Sequence, residues 1–182
     1  FCDNRFDAKA QARTYSKFLR QYGLSPELPA HIDFEFDYPA GNLSKLDDVY
    51  NFISEFKRLE PDTTIGIYTG YYFWTDKAQK SGIGDAFLQW FGQFPLWLAW
   101  YTHDSAKPDL VKIPKPWTSW DLWQFSDRGD GFGHGLHSKE LDLNKTSKPL
   151  DEWLAAFGVV QSNNSSKLTF QFGNKNVEYK SL

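Results

Sequence analysis

Acidic side chains alternate with apolar ones in the segment AHIDFEF at residues 30–36 and at the residue that follows it. In a β-strand, residues i and i+2 face the same side, so Asp33, Glu35 and Asp37 are predicted to project together. Repulsion between neighbouring carboxylates, together with partial burial, raises the pKa of at least one of them. A carboxyl group with a raised pKa can act as a general acid near neutral pH, and this is the chemistry that the spacing indicates.

An exposed edge strand whose acidic face is merely solvated is the alternative interpretation of this spacing. Two amphipathic helices flank the strand in the sequence and a further strand follows, so both of its faces are expected to be covered. Acidic side chains are unusual on a strand whose two faces are covered. A catalytic cleft at the carboxyl ends of parallel strands would explain their presence here.

A second source of carboxylates is the segment ELDLN at residues 140–144. Its alternation places Glu140, Asp142 and Asn144 on one face of a strand and the two leucines on the other. Asp142 is the preferred candidate for a catalytic role. A solvated aspartate in a turn is the alternative interpretation of the same residue.

Aromatic side chains are the third group of candidates, since they make up 18% of the chain and could stack on the faces of sugars. In PLWLAWY at residues 95–101, Trp97 and Tyr101 alternate with apolar residues. One set of rings is expected to line a cleft while the other packs against helices, although core packing is the more frequent use of such a strand. Tyr68 and Tyr71 are candidates to donate hydrogen bonds, with a structural role as the alternative.

Alternating strands and helices are predicted to hold these residues in place. Helical periodicity with capping signals predicts four helices, at residues 7–22, 44–59, 85–91 and 149–157. The first has Asp7 as its predicted N-cap and ends before Gly23. The second has Ser44 or Asn42 as its predicted N-cap. Period-two or apolar runs predict strands at residues 30–36, 64–69, 95–101, 120–125 and 137–144. The glycine-rich segment at 128–135 is interpreted as a long loop at the rim of the cleft.

This order of elements predicts an α/β fold with a parallel sheet wrapped into an irregular barrel, and a doubly wound open sheet is the alternative. Residues 1–158 are assigned to one domain. Residues 159–182 are predicted to begin with a polar linker and to contain a β-hairpin that could start a C-terminal module.

Composition narrows the class of protein further. A length of 182 residues with 41% hydrophobic and 24% charged residues fits one globular domain, and a dispersed net charge of −3 is unlike that of a nucleic-acid binder. The single cysteine, Cys2, excludes an internal disulfide. The histidines do not have the spacing of metal ligands. They are interpreted as loop or surface residues, and they are His31, His103, His134 and His137. Neither a membrane span of about 18 apolar residues nor a secretory signal is found.

Five segments in one order resemble glycoside hydrolase family 25, the Chalaropsis-type lysozymes of phage endolysins and bacterial autolysins. They are HIDFEF, IGIYTG at 65–70, PLWLAWY, WQF at 123–125 followed by glycine-rich sequence, and LDLN at 141–144. The resemblance runs from Phe1 to about Phe157. It implies an irregular TIM-like (β/α) barrel that hydrolyses the β-1,4 bond between N-acetylmuramic acid and N-acetylglucosamine in peptidoglycan, outside the cell membrane, with neither metal nor cofactor.

The resemblance also implies roles for individual residues. Glu35 matches the general acid, Asp33 its neighbour in the motif, and Asp142 the acidic residue after the last strand. The remaining matches are expected to line the glycan groove, and they are Tyr68, Trp97, Tyr101, Asp37 and Trp123.

One departure from the family pattern concerns its first strand, which carries an aspartate near its end. The segment at residues 1–6 matches the end of the third strand, so two β/α units, roughly sixty residues at about thirty for each unit, are expected to lie in a missing N-terminal segment or in a second chain. Two alternatives follow. The first is a chitinase-like barrel, whose catalytic strand has acidic residues upstream that HIDFEFD lacks, so this alternative is disfavoured. The second is a non-catalytic wall-binding or phage structural module.

Overall fold

A computed structural model of the chain describes residues 2–23, 28–37, 39, 45–157 and 159, together with the backbone of residues 167–172 and 175–180. Its helices are α1 (Ala8–Gln21), α2 (Leu46–Leu59), α3 (Tyr71–Lys80), α4 (Asp85–Trp90) and α5 (Leu150–Ala155). Its strands are β1 (Ala30–Asp33), β2 (Ile65–Gly70), β3 (Leu96–Ala99), β4 (Leu122–Asp130), β5 (Glu140–Thr146), β6 (Lys167–Phe172) and β7 (Lys175–Lys180).

Strands β1 to β5 form one mixed sheet in their order along the chain. Strands β1 to β4 are parallel, and β5 is antiparallel to β4. A doubly wound sheet would reverse its strand order at a switch point, and this sheet does not. The described residues therefore form an α/β fold with a curled, five-stranded half-barrel sheet, and the expectation of an entirely parallel sheet was wrong at its last strand.

The β4–β5 hairpin also differs from the expected long loop at residues 128–135. Strand β4 continues to Asp130, and the turn is closed by the Gly131 N–H, which donates to the carbonyl of Lys139 over 3.0 Å. At Gly129 a Cβ atom would lie 2.7 Å from Leu143, so this glycine permits the close approach of the two strands. Two register shifts interrupt the pairing, which bends the hairpin.

The helices cover one face of the sheet and build the core with it. Ile32, Ile67 and Leu98, on three successive strands, are each no more than 2% exposed and belong to one cluster with residues of α1 and α2. Burial of such side chains stabilises a fold by roughly 25 cal/mol for each Å² of apolar surface removed from water. Cys2 also lies in this cluster, and burial raises the pKa of its thiol to about 12.

The start of α1 agrees with the sequence, whereas α2 begins two residues after the predicted residue 44. The Asp7 carboxylate accepts from the Ala10 N–H and caps α1 as predicted. Helix α2 begins at Leu46, with Lys45 as N-cap, whose N–H donates to the Asp48 carboxylate; the predicted caps Ser44 and Asn42 lie outside the described residues. Helix α3 was not predicted.

Strands β6 and β7 pair in antiparallel fashion as a separate two-stranded sheet, in agreement with the predicted hairpin. The domain boundary expected at residue 158 stays a prediction. In the part of the chain that is described, no helix combines the length and the apolar character needed to cross a bilayer. Across the same residues, no group of three or more histidine, cysteine, aspartate or glutamate side chains is arranged to hold a metal ion.

Candidate active site

Three of the predicted site residues occupy equivalent positions on neighbouring strands. Asp33 at the end of β1 is paired with Tyr68 of β2, and Tyr68 is paired with Trp97 of β3. Paired residues of a parallel sheet share a face, and this face is opposite the one that Ile32 and Leu98 bury against the helices. The structure thus brings together Asp33, which alternation in the sequence singled out, with Tyr68 and Trp97, which the family resemblance assigned to the groove.

Gln124 of β4 connects the aromatic residues of this face. Its side chain is buried, and its Oε1 atom accepts hydrogen bonds from the hydroxyl groups of Tyr68 at 2.8 Å and Tyr101 at 3.0 Å. Two donors on one acceptor fix both phenol rings in position. Sequence reasoning missed Gln124, although a polar residue between Trp123 and Phe125 on a covered strand is a usable signal.

The indole ring of Trp97 contacts three other side chains. Its Nε1–H donates to Asn144 Oδ1 over 2.8 Å, and its ring makes edge contacts with Tyr68 at 5.1 Å and His31 at 5.3 Å between ring centres. His31 reaches Trp97 across Gly66 of β2, where a Cβ atom would lie only 2.6 Å from His31 Nε2. The glycine is therefore needed for this contact.

His31 lies in β1 and is partly buried, so its interpretation as a loop or surface residue was wrong. Burial lowers the pKa of the ring to about 4, and the ring is therefore neutral near pH 7. Its Nδ1 atom lies 3.0 Å from the carbonyl oxygen of Pro29, which assigns the proton to Nδ1 and leaves Nε2 unprotonated.

The carboxyl groups at this end of the sheet perturb one another. Asp33 Oδ1 is buried without a hydrogen-bond partner in the described part of the chain, and burial, followed by the nearby Glu35 carboxylate, raises the pKa of Asp33 from 3.8 to about 6. Burial and then Glu35 also raise the pKa of Tyr68. The pKa of Tyr101 is raised by burial and then by several carboxylates that include Asp142 and Glu35. The Glu35 carboxylate thus acts on both tyrosines, while Asp33 acts on Tyr68 and Asp142 on Tyr101.

A further polar group adjoins Tyr101 and was not identified from the sequence as part of the site. His103 has a positive φ of 54°, which a residue with a side chain rarely adopts, and its Nδ1 atom lies 3.0 Å from Ser126 Oγ. Asp127 Oδ1 lies 4.0 Å from the same nitrogen, and Asp127 is the first carboxylate after burial to raise the pKa of Tyr101. Strained residues of this kind cluster at functional sites.

Two predicted groove residues have structural contacts of their own. Trp123 is fully buried, and its Nε1–H donates to the carbonyl of Trp100 over 2.8 Å, so it has no surface to offer a sugar. Strand β1 ends at Asp33, and the alternation therefore does not extend to Asp37. The Asp37 carboxylate forms an ion pair with the buried Lys77 of α3, with 2.6 Å between Oδ2 and Nζ. The prediction of Trp123 as a glycan contact was therefore wrong, and that of Asp37 stays a prediction.

Comparison with known protein families adds independent information to this geometry. The family model of glycosyl hydrolases family 25 matches residues 1–134. The chain belongs to this family. The matched residues include Asp33, Glu35 and Trp97 and end before Asp142. No curated protein matches the chain.

Three solved structures of this fold resemble the chain. The Clostridium perfringens spore cortex lytic enzyme SleM has 22% identity and a TM-score of 0.60, over 96% of this chain and 54% of SleM. The catalytic domain of endolysin ply40 from bacteriophage P40 of Listeria monocytogenes has 19% identity and a TM-score of 0.51, over 87% of this chain and 68% of that domain.

A family 25 glycosyl hydrolase from Bacillus anthracis has 23% identity and a TM-score of 0.52, over 79% of this chain and 62% of that protein. The chain thus spans about half the length of SleM. At these identities the likeness concerns the fold.

Proposed function

We propose that this chain acts in a peptidoglycan hydrolase that cleaves the β-1,4 bond between N-acetylmuramic acid and N-acetylglucosamine. The observation that carries the proposal is the Asp33–Glu35 pair, in which one carboxyl oxygen is buried without a partner and the pKa of Asp33 is raised to about 6. A pair of carboxyl groups that flank the scissile bond is the common requirement of glycoside hydrolysis in most families.

Burial and then the nearby Glu35 carboxylate disfavour the ionised form of Asp33. Asp33 therefore keeps its proton up to about pH 6. Glu35, which follows the end of β1, is assigned the role of the general acid that protonates the glycosidic oxygen. The carboxylate charge then stabilises the positive charge that develops on the sugar. Water adds its hydroxyl group to the anomeric carbon and returns its proton to the carboxylate that acted as the acid. Asp142 adds negative charge on the side of Tyr101.

The aromatic residues of the sheet face position the sugar next to these carboxyl groups. Trp97, clamped by Asn144, Tyr68 and His31, offers an immobilised indole ring. Tyr68 and Tyr101 have their hydroxyl groups fixed by Gln124. Rigid groups lose little conformational entropy when they bind substrate, and such preorganisation favours orientation of the reacting bond.

The proposed site of action is the bacterial cell wall, reached by secretion or by release from a phage-infected cell. SleM is described as a spore cortex lytic enzyme and ply40 as an endolysin. The chain shares their fold, and the proposed substrate follows from family membership together with the carboxylate pair.

The test compares the protein with its Glu35→Gln variant on purified peptidoglycan, with new reducing ends as the readout. The protein is expected to release reducing ends, and the variant to release none while its thermal unfolding is unchanged. Asp62→Asn, an exposed aspartate on the turn after α2, is the matched control and should retain activity. Full activity of Glu35→Gln would refute the role of Glu35. Binding to the wall without any release by the parent protein would instead indicate a non-catalytic wall-binding module.

A further inference from the structure

Lys77 of α3 is a buried cation that the proposed hydrolysis does not use. Its side chain is 8% exposed, and its Nζ atom donates to both carboxylate oxygens of Asp37, over 2.8 Å and 2.6 Å. Nζ also lies 4.9 Å from the ring centre of Phe73, one turn earlier in the helix. Such a pair adds little net stability, because the cost of removing both charges from water offsets their attraction. The importance of the pair therefore depends on which part of the chain it holds.

Asp37 belongs to the short segment that carries Glu35. Strand β1 ends at Asp33, and the residues that follow it up to Asp37 have neither helical nor strand structure. At the start of this segment the Phe34 N–H donates to the carbonyl of Tyr68 over 2.9 Å, which ties the backbone to β2. Glu35 thus lies beyond the end of the strand, where contacts of the segment with other elements determine its position.

Helix α3 contacts this segment on both sides of Glu35. Before Glu35, the buried ring of Phe34 packs edge-on against Phe73, with 5.0 Å between the ring centres. After Glu35, the Asp37 carboxylate is paired with Lys77. Phe73 contacts Lys77 Nζ as well, so the two attachments lie next to each other on the helix. The segment is therefore fixed to one helix at two points that flank Glu35.

We propose that Lys77 is a positioning residue of the hydrolysis, whose ion pair with Asp37 holds the segment of Glu35 so that its carboxyl group meets the glycosidic oxygen. Lys77 acts through the backbone and is too deeply buried to contact the glycan. The proposal rests on the proposed function, because it takes Glu35 as the general acid. It adds that the geometry of this acid depends on an ion pair made by α3.

Two double variants provide a matched comparison. Asp37→Ala/Lys77→Met removes the ion pair without a change in net charge and leaves no buried charge unpaired, so most of the stability of the parent protein should remain. Asp76→Ala/Lys80→Met is the control, because it removes an exposed ion pair of α3 with 2.8 Å between Nζ and Oδ1. The control pair joins two residues of the helix to each other and leaves the segment of Glu35 in place.

The first measurement is of kcat and KM for the release of reducing ends from purified peptidoglycan glycan. Asp37→Ala/Lys77→Met should lower kcat by about tenfold to a hundredfold, because a misplacement of about 1 Å can cost this much, and should leave KM within about twofold of the parent value. Lys77→Met alone, which retains the Asp37 carboxylate, should lower kcat to a similar extent. Asp76→Ala/Lys80→Met should behave as the parent protein does.

Two kinetic results would overturn the proposal. A parent-like kcat of Asp37→Ala/Lys77→Met would show that the ion pair serves the stability of the fold alone. A raised KM with an unchanged kcat, found only where Asp37 is replaced, would make Asp37 a glycan contact and would remove the positioning role of Lys77.

The second measurement does not depend on activity. The Glu35 carboxylate, after burial, raises the pKa of Asp33 to about 6, and carbon-detected NMR titration of the Asp33 carboxyl group therefore reports whether Glu35 is near. In Asp37→Ala/Lys77→Met this pKa should fall below about 6, because Glu35 moves away, and in Asp76→Ala/Lys80→Met it should stay. An unchanged Asp33 pKa in the first variant would overturn the proposal.

Failure of the proposed function would look different. A parent protein that released no reducing ends would refute the hydrolysis and the catalytic purpose of the ion pair with it. The titration of Asp33 would still decide whether the pair between Lys77 and Asp37 holds Glu35 in place.

Discussion

Replacement of Asp33 by asparagine is expected to stabilise the folded protein at about pH 7 while it abolishes hydrolysis. Burial and the neighbouring Glu35 raise the pKa of Asp33 from 3.8 to about 6, so the ionised carboxylate is disfavoured in the folded state. Asparagine has nearly the same shape and carries no charge. It removes the electrostatic penalty together with the carboxyl group that the proposed mechanism places beside Glu35.

The magnitude follows from the displacement of the pKa. At about 1.4 kcal/mol for each pKa unit, the difference between 3.8 and about 6 sets an upper limit of about 3 kcal/mol on the penalty. Because the Asp33 side chain is only partly buried, solvent screening reduces this to about 1–2 kcal/mol. The expected gain for Asp33→Asn at about pH 7 is therefore about 1–2 kcal/mol.

The pH dependence distinguishes this cause from a packing effect. Between about pH 4 and 6 the folded state holds the Asp33 proton more tightly than the unfolded state, so the parent protein loses stability as the pH rises through this window. Asp33→Asn lacks this loss. The difference between the two proteins should be largest above about pH 6 and should vanish below about pH 4.

Urea unfolding across this pH range measures the difference, with Asp62→Asn as the control for loss of an exposed carboxylate, which should stay within about 0.5 kcal/mol of the parent. A variant that is less stable than the parent at about pH 7, or a difference that does not change with pH, would refute the reasoning.

Two further predictions concern contacts around the site. Asp37→Ala should destabilise the protein by about 3 kcal/mol in urea unfolding, because it leaves the buried Lys77 ammonium without the carboxylate at 2.6 Å. Adding Lys77→Met to this variant should restore most of the lost stability. Equal stability of the single and double variants would contradict this expectation. Gly66→Ala should destabilise by about 1–3 kcal/mol, because its Cβ would lie 2.6 Å from His31 Nε2 and 2.9 Å from the Pro95 carbonyl oxygen. His31→Ala should relieve only part of this loss, and a neutral effect of Gly66→Ala would show that the strands can separate at this point.

The sequence predicted the sheet face of the site because alternation is a local property. Asp33 and Trp97 could be assigned to a face from their apolar neighbours, and the structure places both on the same face in matching register with Tyr68. The same argument, applied to WDLWQF, assigns Gln124 to the site and Trp123 to the core, since Trp123 is paired with Leu98. The error at Trp123 came from following a motif instead of the alternation.

Other features depend on contacts between distant segments and could not be predicted. Helix α3 begins directly at the end of β2, with Gly70 as an N-cap that offers no side-chain oxygen, so the usual start signal is absent. The burial of His31 requires Gly66 on the neighbouring strand, a pairing that only the register reveals. Asp37 lies beyond the end of β1, and its partner Lys77 comes from α3, a helix that the sequence did not indicate.

If the carboxyl groups of Asp33 and Glu35 serve to cleave the bond after N-acetylmuramic acid, that sugar must form the new reducing ends. This is measured by digesting purified peptidoglycan, reducing the products with borohydride and identifying the new terminal sugar by mass spectrometry, with Glu35→Gln as the control. We expect reduced N-acetylmuramic acid at the new ends and none with the variant. Reduced N-acetylglucosamine, or the same products from Glu35→Gln, would contradict this expectation.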